Sequence, residues 1–320
     1  MDNLKKFYKN KKIFITGHTG FKGTWLTSTL IEFGSKIMGY SIKDERKKIF
    51  NKISRHDKIL NVYADILNYD YLNKKILEFN PEIIFHLAAE PIVSESYKSP
   101  LKTVQTNIDG TLNILEISRK IKNLRSLVII TSDKCYLNKE FRRGYKENDE
   151  LGGEDLYSAS KASAELIFKA YSHSFFKHQK KFGFATVRAG NVIGGGDWSA
   201  NRIIPDCVRS IKKNSNLIIR NPNSTRPWQH ALEPISGYLL LAKKLYQNNK
   251  KFNGTWNFGP SVYKSIKVKD VVKLFFKYIG FNKKIIFKKA NFKETNLLKL
   301  NSNKALRNLN WKNTWDMKNS

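Results

Sequence analysis

The 320-residue chain holds only two cysteines, Cys135 and Cys207, and six scattered histidines. Two thiols are too few for a disulfide framework or a cysteine-based zinc site. His173 and His178 stand five apart and diverge on a helix, so no metal is expected. Acidic residues are also scarce, 27 Asp+Glu against 58 Lys+Arg, for a net charge of +31. Such an excess attracts polyanions: nucleic acid, acidic membrane surfaces and phosphorylated metabolites. Yet Lys, Asn and Ile are abundant throughout, as compositional drift produces. No basic stripe with interleaved aromatics stands out, so nucleic acid is not an expected partner. No apolar run reaches the roughly 18 residues that span a bilayer. The opening MDNLKKFYKNKK has no apolar segment of the signal-peptide kind. The expectation is a cytoplasmic protein without a membrane partner.

Hydrophobic residues make up 41% and charged residues 27% of the chain, ordinary globular values that supply a core. The length suits one large domain or two modest ones. Short apolar runs at 12–16, 36–40, 61–64, 82–88, 127–131 and 184–187 read as strands. Helical spacing covers 24–33, 69–79, 103–121 and 157–177, and 43–58 reads as a polar, basic surface excursion. Fully apolar strands alternating with helices predict an α/β fold, a doubly wound parallel sheet of the Rossmann kind. From Gly190 the character changes, with irregular Gly-, Trp- and Pro-containing stretches and helices at 203–212, 235–246 and 268–278. Residues 1–189 are therefore read as a dinucleotide-binding domain with a catalytic helix. Residues 190–320 are read as mainly a smaller substrate-binding lobe, interleaved with the sheet.

The first strand runs into Gly17-His18-Thr19-Gly20-Phe21-Lys22-Gly23. The GxxGxxG spacing between a strand and a helix lets backbone approach a pyrophosphate, and the helix start offers free N–H groups. The acid that commonly follows the second strand is missing, because that strand ends Gly39-Tyr40-Ser41. The choice between NAD and NADP stays open on these residues. Asp65 follows the third strand, where it either bonds an adenine amino group or caps the next helix.

Tyr157-Ser158-Ala159-Ser160-Lys161 is YxxxK on a predicted helix, with both functional groups on one face. An ammonium beside a phenol favours phenolate and lowers its pKa, which suits proton transfer. Ser132 follows the LVIIT strand at its carboxyl end, where such sheets bind ligands. Ser132, Tyr157 and Lys161 make an oxidoreductase constellation.

These residues resemble the extended short-chain dehydrogenase/reductases, the NAD-dependent epimerase/dehydratase family. Within it they are most similar to the 4,6-dehydratases of CDP-glucose. The stretches that carry the resemblance are GHTGFKGTWL, HLAAEP, TSDKCY, YSASKASAEL, RAGNVIGGGDW, NRIIPD and RPWQHALEP, in order along nearly the whole chain. The resemblance implies NAD as cofactor, with Gly17, His18, Thr19, Gly20, Phe21, Lys22, Gly23, Asp65, Ile66, Leu87, Ala88, Ala89, Tyr157 and Lys161 around it. It implies CDP-glucose as substrate, CDP-4-keto-6-deoxyglucose as product for surface polysaccharide, and a homodimer formed through helices 103–121 and 157–177. Asp133 and Lys134 are implied as the acid that protonates the leaving C6 hydroxyl and the base that removes the C5 hydrogen. An adjacent Asp and Lys ordinarily rest as an ion pair. The neutral pair holds the same number of protons, and desolvation favours it.

Asn191 is implied to contact the sugar or its phosphate, and Arg226 and Arg202 to clamp the pyrophosphate. His230 is read as facing the substrate or packing, Arg188 as pairing beneath the site, and Trp198 and Trp228 as packing. Four departures stand out: Glu90 for a usual glutamine, Ser94 for a frequent arginine, Leu156 for a proline, and a loose match at Lys293-Glu294-Thr295. The sequence also stops at Ser320, where relatives usually continue with a further helix.

Overall fold

A computed structural model describes residues 2–43, 50, 58–178, 181–199, 201–261, 266–282, 284–287 and 296–320. Most of the stretch 43–58, and all of 293–295, lies outside the described residues. Seven strands form one parallel sheet: β1 Lys12–Thr16, β2 Lys36–Ser41, β3 Ile59–Tyr63, β4 Ile83–His86, β5 Ser126–Ile130, β6 Gly183–Ala189 and β7 Gly254–Phe258. Their order is β7-β6-β5-β4-β1-β2-β3.

Alternation along each strand sorts the core into two layers, because successive side chains point to opposite faces. Ile13, Ile15, Phe85, Val128 and Val187 belong to one apolar cluster, Phe14, Ile84, Leu127, Ile129 and Phe184 to the other. The first layer is covered by α1 Asp2–Tyr8, α2 Phe21–Glu32, α8 Leu232–Gln247 and α10 Asn303–Leu309. The second is covered by α3 Tyr69–Phe79, α5 Pro100–Ser118 and α6 Leu156–Tyr171. A short helix, α4 Val93–Lys98, precedes α5.

The expected doubly wound sheet is thus present, and two bounds that bear on the cleft differ from the reading of the sequence. Helix α2 begins at Phe21 rather than 24, so Phe21-Lys22-Gly23 form its first turn. Helix α6 stops at Tyr171 and continues as one wider turn, Ser172–Phe176. Strand β7, α8 and α10 all come from beyond residue 190 and build the sheet layers.

The smaller lobe consists of α7 Ile203–Lys212, α9 Val268–Ile279 and short strand pairs, Leu217–Ile219 with Ile285–Phe287 and Thr225–Arg226 with Ile266–Lys267. Cys207, Leu217, Ile219, Val272 and Phe276 give it a core of its own. β1 has β2 on one side and β4 on the other, so the strand order reverses there. Ligands of such sheets sit at the carboxyl ends of the strands beside that reversal.

Candidate active site

A cleft of about 810 Å³ opens at that position, between the carboxyl ends of the strands and the smaller lobe. Its floor starts at the glycine loop. Gly17 has φ +70°, and a Cβ there would lie 2.7 Å from the backbone nitrogen of Ala88. A Cβ at Gly23 would lie 2.1 Å from the carbonyl oxygen of Gly17. Only glycine lets the loop sit this tightly on β4 and lets α2 start this close to the turn. The first turn of α2 therefore presents its N–H groups to the cleft, a cradle for a diphosphate.

Gly17, Thr19, Gly20, Phe21, Lys22, Gly23, Asp65, Ile66, Leu87, Ala88 and Ala89 all line the cleft. His18 does not. Its ring lies over Gly39 of β2, bonded through Nε2 to Asn61 Oδ1 at 2.9 Å and edge-on to Phe50. Asp65 is not a helix cap: Asn68 caps α3 by accepting from the Tyr71 N–H, whereas Asp65 Oδ1 accepts from the Leu67 N–H at 3.0 Å. That turn leaves Asp65 lining the cleft.

The groups read from the sequence as catalytic converge at the ends of β5 and α6. Ser132 is extended (φ −157°) and caps a single 3-10 turn, Asp133–Cys135, accepting from the Lys134 N–H at 3.3 Å. The Ser132 hydroxyl donates to Asp133 Oδ1 at 3.0 Å. Asp133 is buried, and its Oδ2 has no hydrogen-bond partner among the described residues. Burial raises its pKa, against the opposing pull of Lys134, Ser132, Arg226 and Lys22. The ion pair expected from the adjacency of Asp133 and Lys134 is not formed among the described residues. Both side chains line the cleft instead.

Asp155 starts helix α6 by accepting from the Ser158 N–H at 2.9 Å, which puts Tyr157 and Lys161 in its first turns, facing the cleft. The sequence argument expected Lys161 to lower the Tyr157 pKa. The structure corrects this: desolvation pushes the phenol up to about 12, Ser132 and Arg202 pull down, and Asp133 adds to the rise. Lys161 is itself brought down to about 8 by burial and by Lys22. Lys22 is brought down to about 8 by burial and Arg202, with Asp133 opposing. The glycine loop thus delivers a lysine to the reacting groups as well as a backbone cradle.

At the far end, Asn191, Arg202 and Arg226 line the cleft, with Arg226 buried. Arg202 is ion-paired to Asp197 at 3.0 Å. His230 packs rather than lining the cleft: its Nδ1 accepts from the Leu232 N–H, and its ring meets Trp25 and Trp315 edge-on. Trp228 is buried and Trp198 exposed, and both border the cleft. Arg188 pairs beneath the site with Glu165 at 2.8 Å. Ser94 accepts from the side-chain amide of Asn201, whose own oxygen accepts from Arg220. Among the described residues no group of three or more His, Cys, Asp or Glu converges as a metal site, and no helix is long and apolar enough to cross a membrane. The sequence reading gave no role to Glu165 or Thr131, although Glu165 falls at i+4 from Lys161, a spacing that places it on the same helical face.

The family model described as GDP-mannose 4,6 dehydratase matches residues 14–320. The CDP-glucose 4,6-dehydratase of Salmonella typhimurium is 43% identical over 319 residues, covering 98% of this chain and 89% of that protein. Among solved structures, the epimerase Mth375 of Methanothermobacter thermautotrophicus superposes with a TM-score of 0.87 at 20% identity, covering 100% of this chain and 92% of the other. The dTDP-glucose 4,6-dehydratase of Bacillus anthracis, solved in complex with NAD, gives 0.80 at 21% identity, covering 97% and 93%. These likenesses agree with the seven-stranded α/β architecture.

Proposed function

Because the chain belongs to the GDP-mannose 4,6-dehydratase family, we propose that it dehydrates CDP-glucose to CDP-4-keto-6-deoxyglucose with NAD as an internal hydride carrier. The residues at the cleft fit such a dinucleotide. The Gly17–Gly23 cradle is filled by any Cβ, and Asp65 stands at the adenosine end. When bound there, NAD would supply a reversible hydride acceptor for sugar C4 and C6 and a positive charge that favours the phenolate of Tyr157.

The chain's own groups move the protons. Tyr157 takes the proton of the C4 hydroxyl, and Ser132 bonds the same oxygen. The ketone at C4 acidifies the C5 hydrogen, which Lys134 removes, while Asp133 protonates the departing C6 hydroxyl as water. Return of the hydride to C6, with the Lys134 ammonium giving a proton back to C5, would close the cycle without net redox change. Lys161 holds the nicotinamide ribose, and Arg226 and Arg202 face the pyrophosphate of the nucleotide sugar.

The observation that carries this reading is Asp133: a buried carboxyl with an uncommitted oxygen, its pKa raised, in the same cleft as Tyr157 and Lys134. Epimerisation at C4 calls for no such acid. The test is turnover of CDP-glucose labelled with deuterium at C4, compared with UDP- and dTDP-glucose. Deuterium should appear at C6 with CDP-glucose as the preferred substrate, and the Lys134→Met variant should lose exchange of the C5 hydrogen with solvent. Deuterium retained at C4, or unimpaired C5 exchange in the variant, refutes the assignment.

The same reading includes a cytoplasmic homodimer that supplies deoxysugar for surface polysaccharide such as lipopolysaccharide. Exposed Leu101 on α5 and Leu166 on α6 support the dimer face. Sedimentation at micromolar concentration should give the mass of two chains, and a monomer would dismiss that part.

A further inference from the structure

We infer that Glu165 is a positioning residue for the Ser132–Tyr157–Lys161 group, locking α6 to the carboxyl end of β5 and keeping a negative charge one helical turn from Lys161. The inference rests on the catalytic reading above and deepens it.

The reacting groups come from two elements that nothing in the local sequence ties together. Thr131, the residue before Ser132, donates its hydroxyl to Glu165 Oε1 at 2.5 Å. Arg188 of β6 donates Nε to Oε1 at 3.0 Å and Nη2 to Oε2 at 2.8 Å. The Thr186 hydroxyl adds a bond to Oε2 at 2.8 Å. The Thr255 hydroxyl of β7 adds a longer bond to Oε2 at 3.5 Å, so the carboxylate takes five donors, from the end of β5, from β6 and from β7; its side chain and that of Arg188 are 1% and 3% exposed. A bidentate guanidinium–carboxylate pair is directional as well as strong. In a buried setting such a pair is better suited to fixing register than to adding net stability.

The lock also reaches the turn that carries Asp133 and Lys134. Arg188 donates Nη1 to the Glu147 carbonyl at 3.1 Å and lies over the ring of Tyr136, which follows that turn directly. Tyr136 is held in its place by its hydroxyl on Asn257 Oδ1 at 2.8 Å. One helical turn separates Glu165 from Lys161 and two separate it from Tyr157, so a displaced Glu165 moves both.

The groups facing Lys161 are Lys22 from α2, His86 from β4, Cys135 from the turn after β5 and Glu165 from its own helix. Lys22 disfavours the ammonium and Glu165 favours it, while the Cys135 thiol, its pKa raised well above the ordinary value by burial, carries no charge. Glu165 is faced in turn by Arg188 and Cys135.

The experiment compares the full chain with Glu165→Gln and with the double variant Glu165→Gln/Arg188→Met, which leaves no buried charge unpaired if the single variant fails to fold. Two pH profiles are measured: kcat and KM for CDP-glucose, and the Kd of NAD followed by tryptophan fluorescence. In both variants kcat should fall about 10- to 100-fold with KM within about twofold. The alkaline limb of both profiles should move toward neutral by about one pH unit in the single variant, because Lys161 loses its proton earlier. The double variant should keep the lowered kcat. Limbs that superpose on the parent, or full recovery of kcat in the double variant, would reduce Glu165 to a structural role and overturn the inference. If the parent chain turns over no nucleotide sugar, the dehydratase reading falls and the NAD profile decides alone: a displaced limb upholds the role of Glu165, an unmoved one overturns it.

Discussion

Asp133 has one oxygen on the Ser132 hydroxyl and the other on nothing among the described residues, and burial raises its pKa. The folded chain therefore keeps this proton to a higher pH than the unfolded chain does. Stability falls as pH rises from the unfolded carboxyl range near 4 through the raised folded value, and stays lower at neutral pH. Asp133→Asn removes that penalty. At pH 7 it should melt a few degrees higher while dehydration drops by about 10²- to 10⁴-fold. Thermal melts of parent and variant decide the matter, and a lower melting point in Asn would mean that the site accommodates a carboxylate. His86 shows the opposite sign: its pKa is brought down to about 3 by burial and Lys161, so it stays neutral between the hydroxyls of Thr16 and Thr111. At this scale the sequence was informative about identity but not about environment. Tyr157 and Lys161 could be picked out from spacing. The direction of the Tyr157 shift could not, because it depends on how far the phenol is desolvated, and no local pattern reports that. The same holds for His18, which lies within the glycine motif yet turns its ring onto Gly39.

At the scale of elements, the first βα unit carries the tightest geometry in the cleft. A methyl at Gly23 meets the Gly17 carbonyl at 2.1 Å, and that neighbour is backbone, so it cannot yield without moving the loop. At Gly195 a Cβ meets nothing within 4 Å, although the Gly195 carbonyl also borders the region by accepting from the Trp25 indole at 2.9 Å. Gly23→Ala should lose dinucleotide binding by at least about 10-fold, and Gly195→Ala should bind within about twofold of the parent. Calorimetric titration distinguishes them, and equal losses would show that the fit at Gly23 is not what shapes the cradle. This unit was readable because its determinants are local: an apolar strand, glycines at fixed offsets, then a helix. The start of α2 was placed too late because Phe21 and Lys22 have no capping side chain before them, Gly20 serving as N-cap without a side-chain bond. Helix α4 went unread because its six residues are too few to show a period.

Across the whole molecule, the least legible feature was β7. Its five residues, GTWNF, come directly after α8 and a short helical turn at Asn249–Phe252, and their partner is β6, paired from Gly254↔Ala185 to Phe258↔Ala189. Only the edge of a finished sheet makes that segment a strand. The helices around it add to this: α8 lays Tyr238, Leu239 and Leu241 on the same layer as Ile15 and Val187, and α10 adds Ala305 and Leu309. Sheet and lobe elements therefore alternate along the second half of the chain, and which segments go to which is decided by packing rather than by position in the sequence.

Because the polypeptide leaves the sheet layers after Ala189, returns at Leu232, leaves again after Phe258 and returns at Asn303, the smaller lobe is sewn in at four hems. Melting it alone would tear an outer strand from the layer that remains. Scanning calorimetry should accordingly record one endotherm with matching calorimetric and van't Hoff enthalpies, and two resolved peaks would mean that the seam opens independently.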